Sequence, residues 1–257
     1  MRRLATALAF WVIACSAGPA AAERLVVSLS NHRVAVTSNF VGEELVLFGT
    51  IEPDPAGQLR PPYDLVVTVT GPQQTLRTRR KQRVLGIWVN VDSREFVSVP
   101  SYLAVLSNRP VAEIADQETL RKLQIGLTYF LLPQRIGPDV ADTVTDDPFR
   151  RAFVRLQRQQ GLYRESSTAV TFLTPTVFRT AIAMPAAVPT GTYAIEVELF
   201  SQGKLVARTN SALEVIKAGF EQYVADAARD YGLLYGMATA LMALLIGWFA
   251  SVVFRRD

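Results

Sequence analysis

Chemistry needs groups that ionise, attack or ligate in concert, and this chain holds few of them in usable patterns. His32 is the single histidine and Cys15 the single cysteine among 257 residues. A Ser/His/Asp or Cys/His catalytic set would have to run through His32, which follows Ser30-Asn31 and reads as a turn residue. The same shortage excludes structural zinc and ordinary copper sites. Carboxylates are more plentiful. Two of them held ~5–10 Å apart would suffice for a glycan hydrolase. Glu43 and Glu44 are adjacent, so on a strand they face opposite sides; Glu196 and Glu198 share a face, but nothing in the spacing sets a cleft around them. Asp139, Asp142, Asp146 and Asp147 offer oxygen ligands for calcium without the ordered spacing of a calcium loop, and read as a capped, solvated loop. No cofactor is expected.

Binding chemistry is better represented. Arg77, Arg79, Arg80, Lys81 and Arg83 form the densest basic run. Such a run suits anionic lipid head groups or an acidic partner, or it is a solvated hairpin. Just downstream, Val84–Val91 reads as one strand with Leu85, Ile87, Val89 and Val91 on one face and Trp88 and Asn90 on the other. If the aliphatic face fills the core, Trp88 points outward, either to pack beneath a helical segment or to anchor a partner. Trp88, Asn90, Arg79 and Arg80 are therefore the candidate partner contacts.

Both ends of the chain set an address for these residues. Met1-Arg2-Arg3, an apolar Leu4–Ala14 and small residues at Ala20 and Ala22 read as a signal peptide cleaved after Ala22. Val12-Ile13-Ala14-Cys15 loosely fits a lipoprotein signal, which would instead keep Cys15 as a lipidated first residue. Cleavage after Ala22 removes Arg2 and Arg3 and takes the net charge from +4 to +2, too mild a bias for nucleic acid. Residues 232–254 carry no charge and stop at Arg255-Arg256. At ~1.5 Å per residue they cross a ~30 Å hydrocarbon core. The arginines place the C-terminus in the cytoplasm and the bulk of the chain in the periplasm, an inner-membrane, single-pass arrangement. Gly232, Gly236, Ala240, Ala243, Gly247 and Ser251 fall on one stripe of this helix, a face on which another membrane helix could pack closely. Residues 217–231 read as an amphipathic juxtamembrane segment.

Between the ends, period-two patterns dominate. Glu44–Ile51, Tyr63–Thr70 and Thr192–Phe200 alternate as half-buried strands, with weaker ones at Leu25–Leu29, Val34–Ser38, Ser101–Leu106, Thr168–Phe172, Val177–Met184 and Lys204–Val215. Pro189–Tyr193 resembles the lead-in to a late strand of bacterial immunoglobulin-like domains, whose tyrosine hydroxyl ties back to the backbone. The middle is helical. Asp116 is placed to cap a helix running to about Leu131, and Asp147-Pro148 opens a second with Phe149, Phe153 and Leu156 as its apolar stripe, ended by Gly161. The expected fold is mainly β: an immunoglobulin-like antiparallel β-sandwich over residues 23–216, split by a helical insertion at about 108–165 and followed by one C-terminal transmembrane α-helix.

Several separated runs, among them Gly86-Ile87-Trp88-Val89-Asn90-Val91, Tyr102–Pro110, Gln160-Gly161-Leu162-Tyr163, Gly219-Phe220-Glu221 and Gly247-Trp248 with Phe254-Arg255-Arg256, resemble a family of alphaproteobacterial putative transmembrane proteins. The resemblance covers nearly the whole mature chain and implies an organism group and a topology, but no activity and no site residue. Members of that family are often encoded beside permeases of the sulfite-exporter type, which implies a transporter accessory subunit by association. Residues and resemblance together point to a non-enzymatic, membrane-anchored periplasmic binding or scaffolding module that meets another membrane protein, or itself, through its spanning helix. An envelope carboxylate-dependent hydrolase and an envelope ligand sensor are the alternatives; a cytoplasmic tail of three residues weighs against the sensor.

Overall fold

The computed structural model describes residues 23–53, 62–136, 139–142, 147–219, 223–224 and 228–253. The leader with Cys15, Asp146 and the tail after Val253 lie outside these, as does much of the juxtamembrane segment. Among the described residues fourteen strands and four helices follow in chain order: β1 (Arg24–Leu29), β2 (Arg33–Val36), β3 (Gly42–Glu52), β4 (Tyr63–Thr70), β5 (Gln73–Val84), β6 (Ile87–Pro100), β7 (Leu103–Ser107), α1 (Val111–Ile114), α2 (Gln117–Leu123), β8 (Pro133–Ile136), β9 (Asp139–Asp142), α3 (Pro148–Gln159), β10 (Tyr163–Ser166), β11 (Val170–Phe172), β12 (Val177–Pro185), β13 (Gly191–Ser201), β14 (Lys204–Lys217) and α4 (Gly232–Val253).

Two sheets make the sandwich. One has strand order β1-β3-β12-β11, the other β10-β7-β4-β13-β14-β2. The alternating residues of β3 (Leu45, Leu47, Ile51), of β12 (Phe178, Ile182), of β4 (Leu65, Val67, Val69) and of β13 (Ile195, Val197, Leu199) interdigitate in one core. Gly49 keeps the β3 face flat because a methyl there would sit 2.2 Å from the Phe178 ring. The larger sheet is not half-buried as its alternation suggests. Its outer face carries a second cluster in which Val66, Val105 and Phe200 meet Val111, Ile114 and Leu120 of α1 and α2. The helical insertion thus roofs the sheet.

Hydrogen bonds pin the corners. The Tyr193 hydroxyl donates to the Pro189 carbonyl, the tie expected from the Pro189–Tyr193 run. Tyr102 and Tyr163 make comparable bonds to Ala183 and Pro100. Burial pushes the Tyr102 hydroxyl up to about 12 and raises Tyr163 and Tyr193 as well, so all three stay neutral donors. The Ser107–Pro110 turn is held by Asn108 and Arg109, which both donate to Asp64 at the start of β4, at 3.1 and 2.7 Å. In the same turn, the Leu65 N–H donates to the Asn108 side chain.

The helices differ from expectation in extent and in face. Asp116 does cap α2, accepting from the Thr119 N–H, but the helix ends at Leu123 rather than near Leu131, because Gln124 turns left-handed (φ 56°) and Gly126 follows at φ 93°. Asp147 caps α3 as expected, accepting from the Arg150 N–H. Its buried face is Phe149, Arg150, Phe153 and Gln157, whereas Leu156 is exposed. Arg150 is drawn inward because its guanidinium donates to the Thr128 and Phe130 carbonyls of the turn that follows α2.

The main departure concerns residues 73–100. Val84–Val91 is not one strand. Leu85 and Gly86 form a two-residue turn with both φ positive (49° and 87°), and Val84 pairs with Ile87 across it. β5 and β6 form a long hairpin that continues β4 and β7 beyond the sandwich, bridged at the bend by Gly71 N–H to Tyr102 and Ser101 N–H to Pro72. Only its root is covered, by the short strands β8 and β9 and by α3, where Phe96 of β6 stacks on Phe153 at 4.3 Å.

Candidate functional site

The distal half of this hairpin, here the arm, is the feature that packing leaves unexplained. The aliphatic face expected to fill the core is in water: Ile87, Val89 and Val91 are exposed, Val84 with them, and Leu85 at the turn is 99% exposed. Trp88 does point outward, at 67% exposure, but not beneath the helical insertion. Among the described residues no third strand pairs with the hairpin beyond Glu95, and α3 reaches no farther along it than Lys81. Burial requires a partner surface, and the arm has outrun its own sheet.

Register sorts the arm's side chains. Trp88 stands opposite Arg83 and Asn90 opposite Lys81, while Val84 stands opposite Ile87 and Gln82 opposite Val89. Cross-strand partners share a face. One face is therefore aromatic and cationic and the other mainly aliphatic. A bulge at Arg80/Lys81 leaves Val91 unpaired, since Lys81 pairs with Asn90 and Arg80 with Asp92. Of the four residues expected to contact a partner, Trp88, Asn90, Arg79 and Arg80, all are on the arm and all are exposed.

At the root, α3 adds charge. Arg151, Arg155 and Arg158 recur at helical spacing along it, and no acidic residue interrupts Pro148–Gln159. A cavity of about 380 Å³ opens between the arm and α3, with Arg79, Arg80, Lys81 and Arg155 around an apolar floor that includes Phe149 and Leu156. A second, of about 530 Å³, lies on the other side of Arg155, against Arg150, Arg151 and Arg158. Sequence reasoning missed both the turn and the helix's share in the site. Gly86 and the 151/155/158 spacing were the available signals.

The other candidates fare differently. Glu196 and Glu198 are brought together by Arg208, whose Nη2 donates to Glu196 at 2.6 Å and whose Nε lies 3.5 Å from Glu198. Burial raises Glu198 to about 7, with Arg208 opposing and Glu196 adding to the rise. Neither carboxylate lines the two arginine-rich cavities or the third one, between Arg24 and Arg208. Arg208, which bridges the pair, does line that third cavity, while the carboxylates themselves stay off its wall. Glu43 and Glu44 are side by side on β3 and make no such pair. His32 sits in an exposed bend, where its carbonyl accepts from the Glu214 N–H. Of the acidic loop, Asp147 is committed to capping α3 and Asp139 and Asp142 bound β9. Among the described residues no three His, Cys, Asp or Glu converge as a metal would require.

α4 is a continuous helix long and apolar enough to cross a membrane, and it buries nothing against the head. Gly232, Gly236, Ala240, Ala243, Gly247 and Ser251 all fall within it, and no atom approaches the place a side chain would occupy at its three glycines.

No curated protein matches the chain. Among solved structures, the sporulation control protein Spo0M of Bacillus subtilis aligns with 10% identity and a TM-score of 0.28, over 82% of this chain and 56% of that one. The N-terminal domain of the Streptococcus gordonii adhesin Sgo0707 aligns with 8% identity and a TM-score of 0.28, over 75% of this chain and 32% of that one. The chain thus spans little more than half the length of the first and a third of the second. A family described as "Putative transmembrane protein (Alph_Pro_TM)" matches residues 24–256, strands and apolar helix together, and the chain belongs to that family.

Proposed function

We propose that this protein is a non-enzymatic, single-pass binding module of the inner membrane, with its immunoglobulin-like sandwich in the periplasm and the arm as its working surface. The exposed tip carries the reading. Val84, Leu85, Ile87, Trp88, Val89 and Val91 are all exposed at or close behind the turn, Trp88 on the face opposite Val84, Ile87 and Val89, and exposed apolar groups gathered on an otherwise well-packed protein mark interaction sites. Arg255-Arg256 after the spanning helix supports a cytoplasmic C-terminus. A photo-crosslinking amino acid at position 88 of the full chain should give a discrete adduct in living cells, read by mass. The same probe at exposed Leu173, off the arm, should give none. Equal labelling at both positions would refute the arm as the binding surface.

The small-residue stripe of α4 supports docking on another membrane helix, in keeping with an accessory subunit of a transporter such as a sulfite-exporter-type permease. Gly236→Leu with Gly247→Leu should abolish co-purification of a polytopic membrane protein in mild detergent. Unchanged recovery would remove the helix from the interface.

A further inference from the structure

We infer that the arm is a second membrane contact: its tip dips into the anionic leaflet that anchors α4, and its basic collar lies on the lipid phosphates. This rests on the arm being the working surface and names what that surface meets. Four observations converge on it.

The first is direction. β13 runs antiparallel to both β4 and β14, so β4 and β14 point the same way. Thr70, the last residue of β4, is level with Ala194, and so is Ala212 of β14. Beyond that level β4 continues into the arm and β14 runs to Lys217, where the chain leaves for the membrane. Arm and anchor therefore depart from the same end of the sandwich. Residues 218–231 separate Lys217 from α4 and reach under about 50 Å at full stretch. The whole hairpin, of which the arm is the distal half, has a 12-residue strand spanning about 40 Å. Its tip therefore reaches the bilayer whenever the linker is held to about half its full stretch or less.

The second is the order of chemistry along the arm. Val84, Leu85 and Ile87 are at the tip, Trp88 and Arg83 are level with each other just behind it, and Lys81, Arg80 and Arg79 follow, with no carboxylate until Asp92, which stands opposite Arg80 and pairs with Arg94. A tip of apolar groups with an indole, backed by cations, matches the change from acyl chain to phosphate across a leaflet. A complementary protein surface would need no such gradient along one axis.

The third is the turn residue. A tight hairpin turn with positive φ at both centres favours Asn or Gly at the first of them. Here it is Leu85, at φ 49°, almost wholly exposed. Folding would be better served by Asn, whereas insertion into hydrocarbon is better served by Leu. The fourth is the root. Arg155 and the arm's Arg79, Arg80 and Lys81 ring an apolar-floored cavity at the same end, suited to a lipid phosphate with the start of its chains.

The test uses the full chain in lipid nanodiscs, with Trp11 and Trp248 replaced by Phe so that Trp88 is the only tryptophan. The discs contain phosphatidylcholine alone or with phosphatidylglycerol, the acyl chains brominated. In anionic discs Trp88 emission should shift to the blue and be quenched several-fold. Leu85→Asn, which relieves the turn, should weaken quenching without lowering the melting temperature, and Arg79→Glu with Arg80→Glu should abolish it. Water-like, unquenched emission in anionic discs would overturn the inference, as would quenching only from brominated vesicles added separately. If Trp88 is unquenched but the position-88 crosslink to a protein persists, lipid falls and the binding arm stands; if both are absent, both fall.

Discussion

Phe153→Ala should destabilise the head by roughly 3–5 kcal/mol, the usual cost of emptying a buried aromatic site. Phe153 is almost fully buried, stacks on Phe96 of β6 and meets the edge of Tyr163 at 5.7 Å. It joins α3, the arm's root and the edge strand β10, three elements with few other shared contacts. For a head of this size the loss corresponds to about 10 °C in melting temperature, at ~2–4 °C per kcal/mol. Trp88→Ala removes a larger side chain and should move the melt by no more than a surface change, within about 0.5 kcal/mol. Near-ultraviolet circular dichroism of the full chain in detergent separates the two. A melt for Trp88→Ala as depressed as that for Phe153→Ala would mean the arm is packed after all. The pair of variants thus divides the hairpin into a structural root and a working tip.

The second large effect is a pH dependence of opposite sign to the common acid-denaturation pattern. Glu198 is 1% exposed, facing the second core beside Val66, its cross-strand partner. Its carboxyl is raised from an ordinary 4.5 to about 7, first by burial, with Arg208 opposing and Glu196 reinforcing. Between those values the folded chain holds the proton and the unfolded chain has released it. Folding there takes up a proton, so stability falls as pH rises from about 4.5 to about 7 and is flat beyond. At ~1.4 kcal/mol per unit the decline is on the order of 3 kcal/mol. Glu198→Gln keeps the shape and removes the titration. It should flatten this segment of the stability curve and leave the variant more stable than the parent at pH 8, by denaturant unfolding across the range. A parent-like slope in Glu198→Gln would assign the effect elsewhere. The same experiment bears on the hydrolase alternative, since a carboxyl near 7 that serves only the fold improves stability when neutralised.

Much of the sandwich is legible from its strands. β4, β12 and β13 follow the alternation of Leu65/Val67/Val69, Phe178/Ile182 and Tyr193/Ile195/Val197 almost to the residue. The caps at Asp116 and Asp147 are legible for the same reason: a cap is a local hydrogen bond, set by residues three apart. β5 was not legible. Its Arg77, Arg79, Arg80, Lys81 and Arg83 give no apolar period because neither face of the distal strand is buried. The α2 end at Gln124 was missed because the left-handed residue that ends the helix is not a glycine; Gly126, two residues on, was the one local sign of the break. Arg150 on the buried face of α3 was missed because its acceptors, the Thr128 and Phe130 carbonyls, come from a separate segment.

Local order along the chain was enough to determine the apolar span of α4, the capped starts of two helices and the alternation of most strands. Each depends on neighbours within a few residues. Tertiary structure alone decided which alternating faces found cover. Ile87, Val89 and Val91 carry the pattern of a core strand, yet they lie in water because β5 and β6 extend past the last strand able to pack on them. It also decided that the arm and the route to α4 share one end of the sandwich, a matter of strand direction summed across β4, β13 and β14. Periodicity says that two faces differ; only the arrangement of the other strands says which of them is left to meet something else.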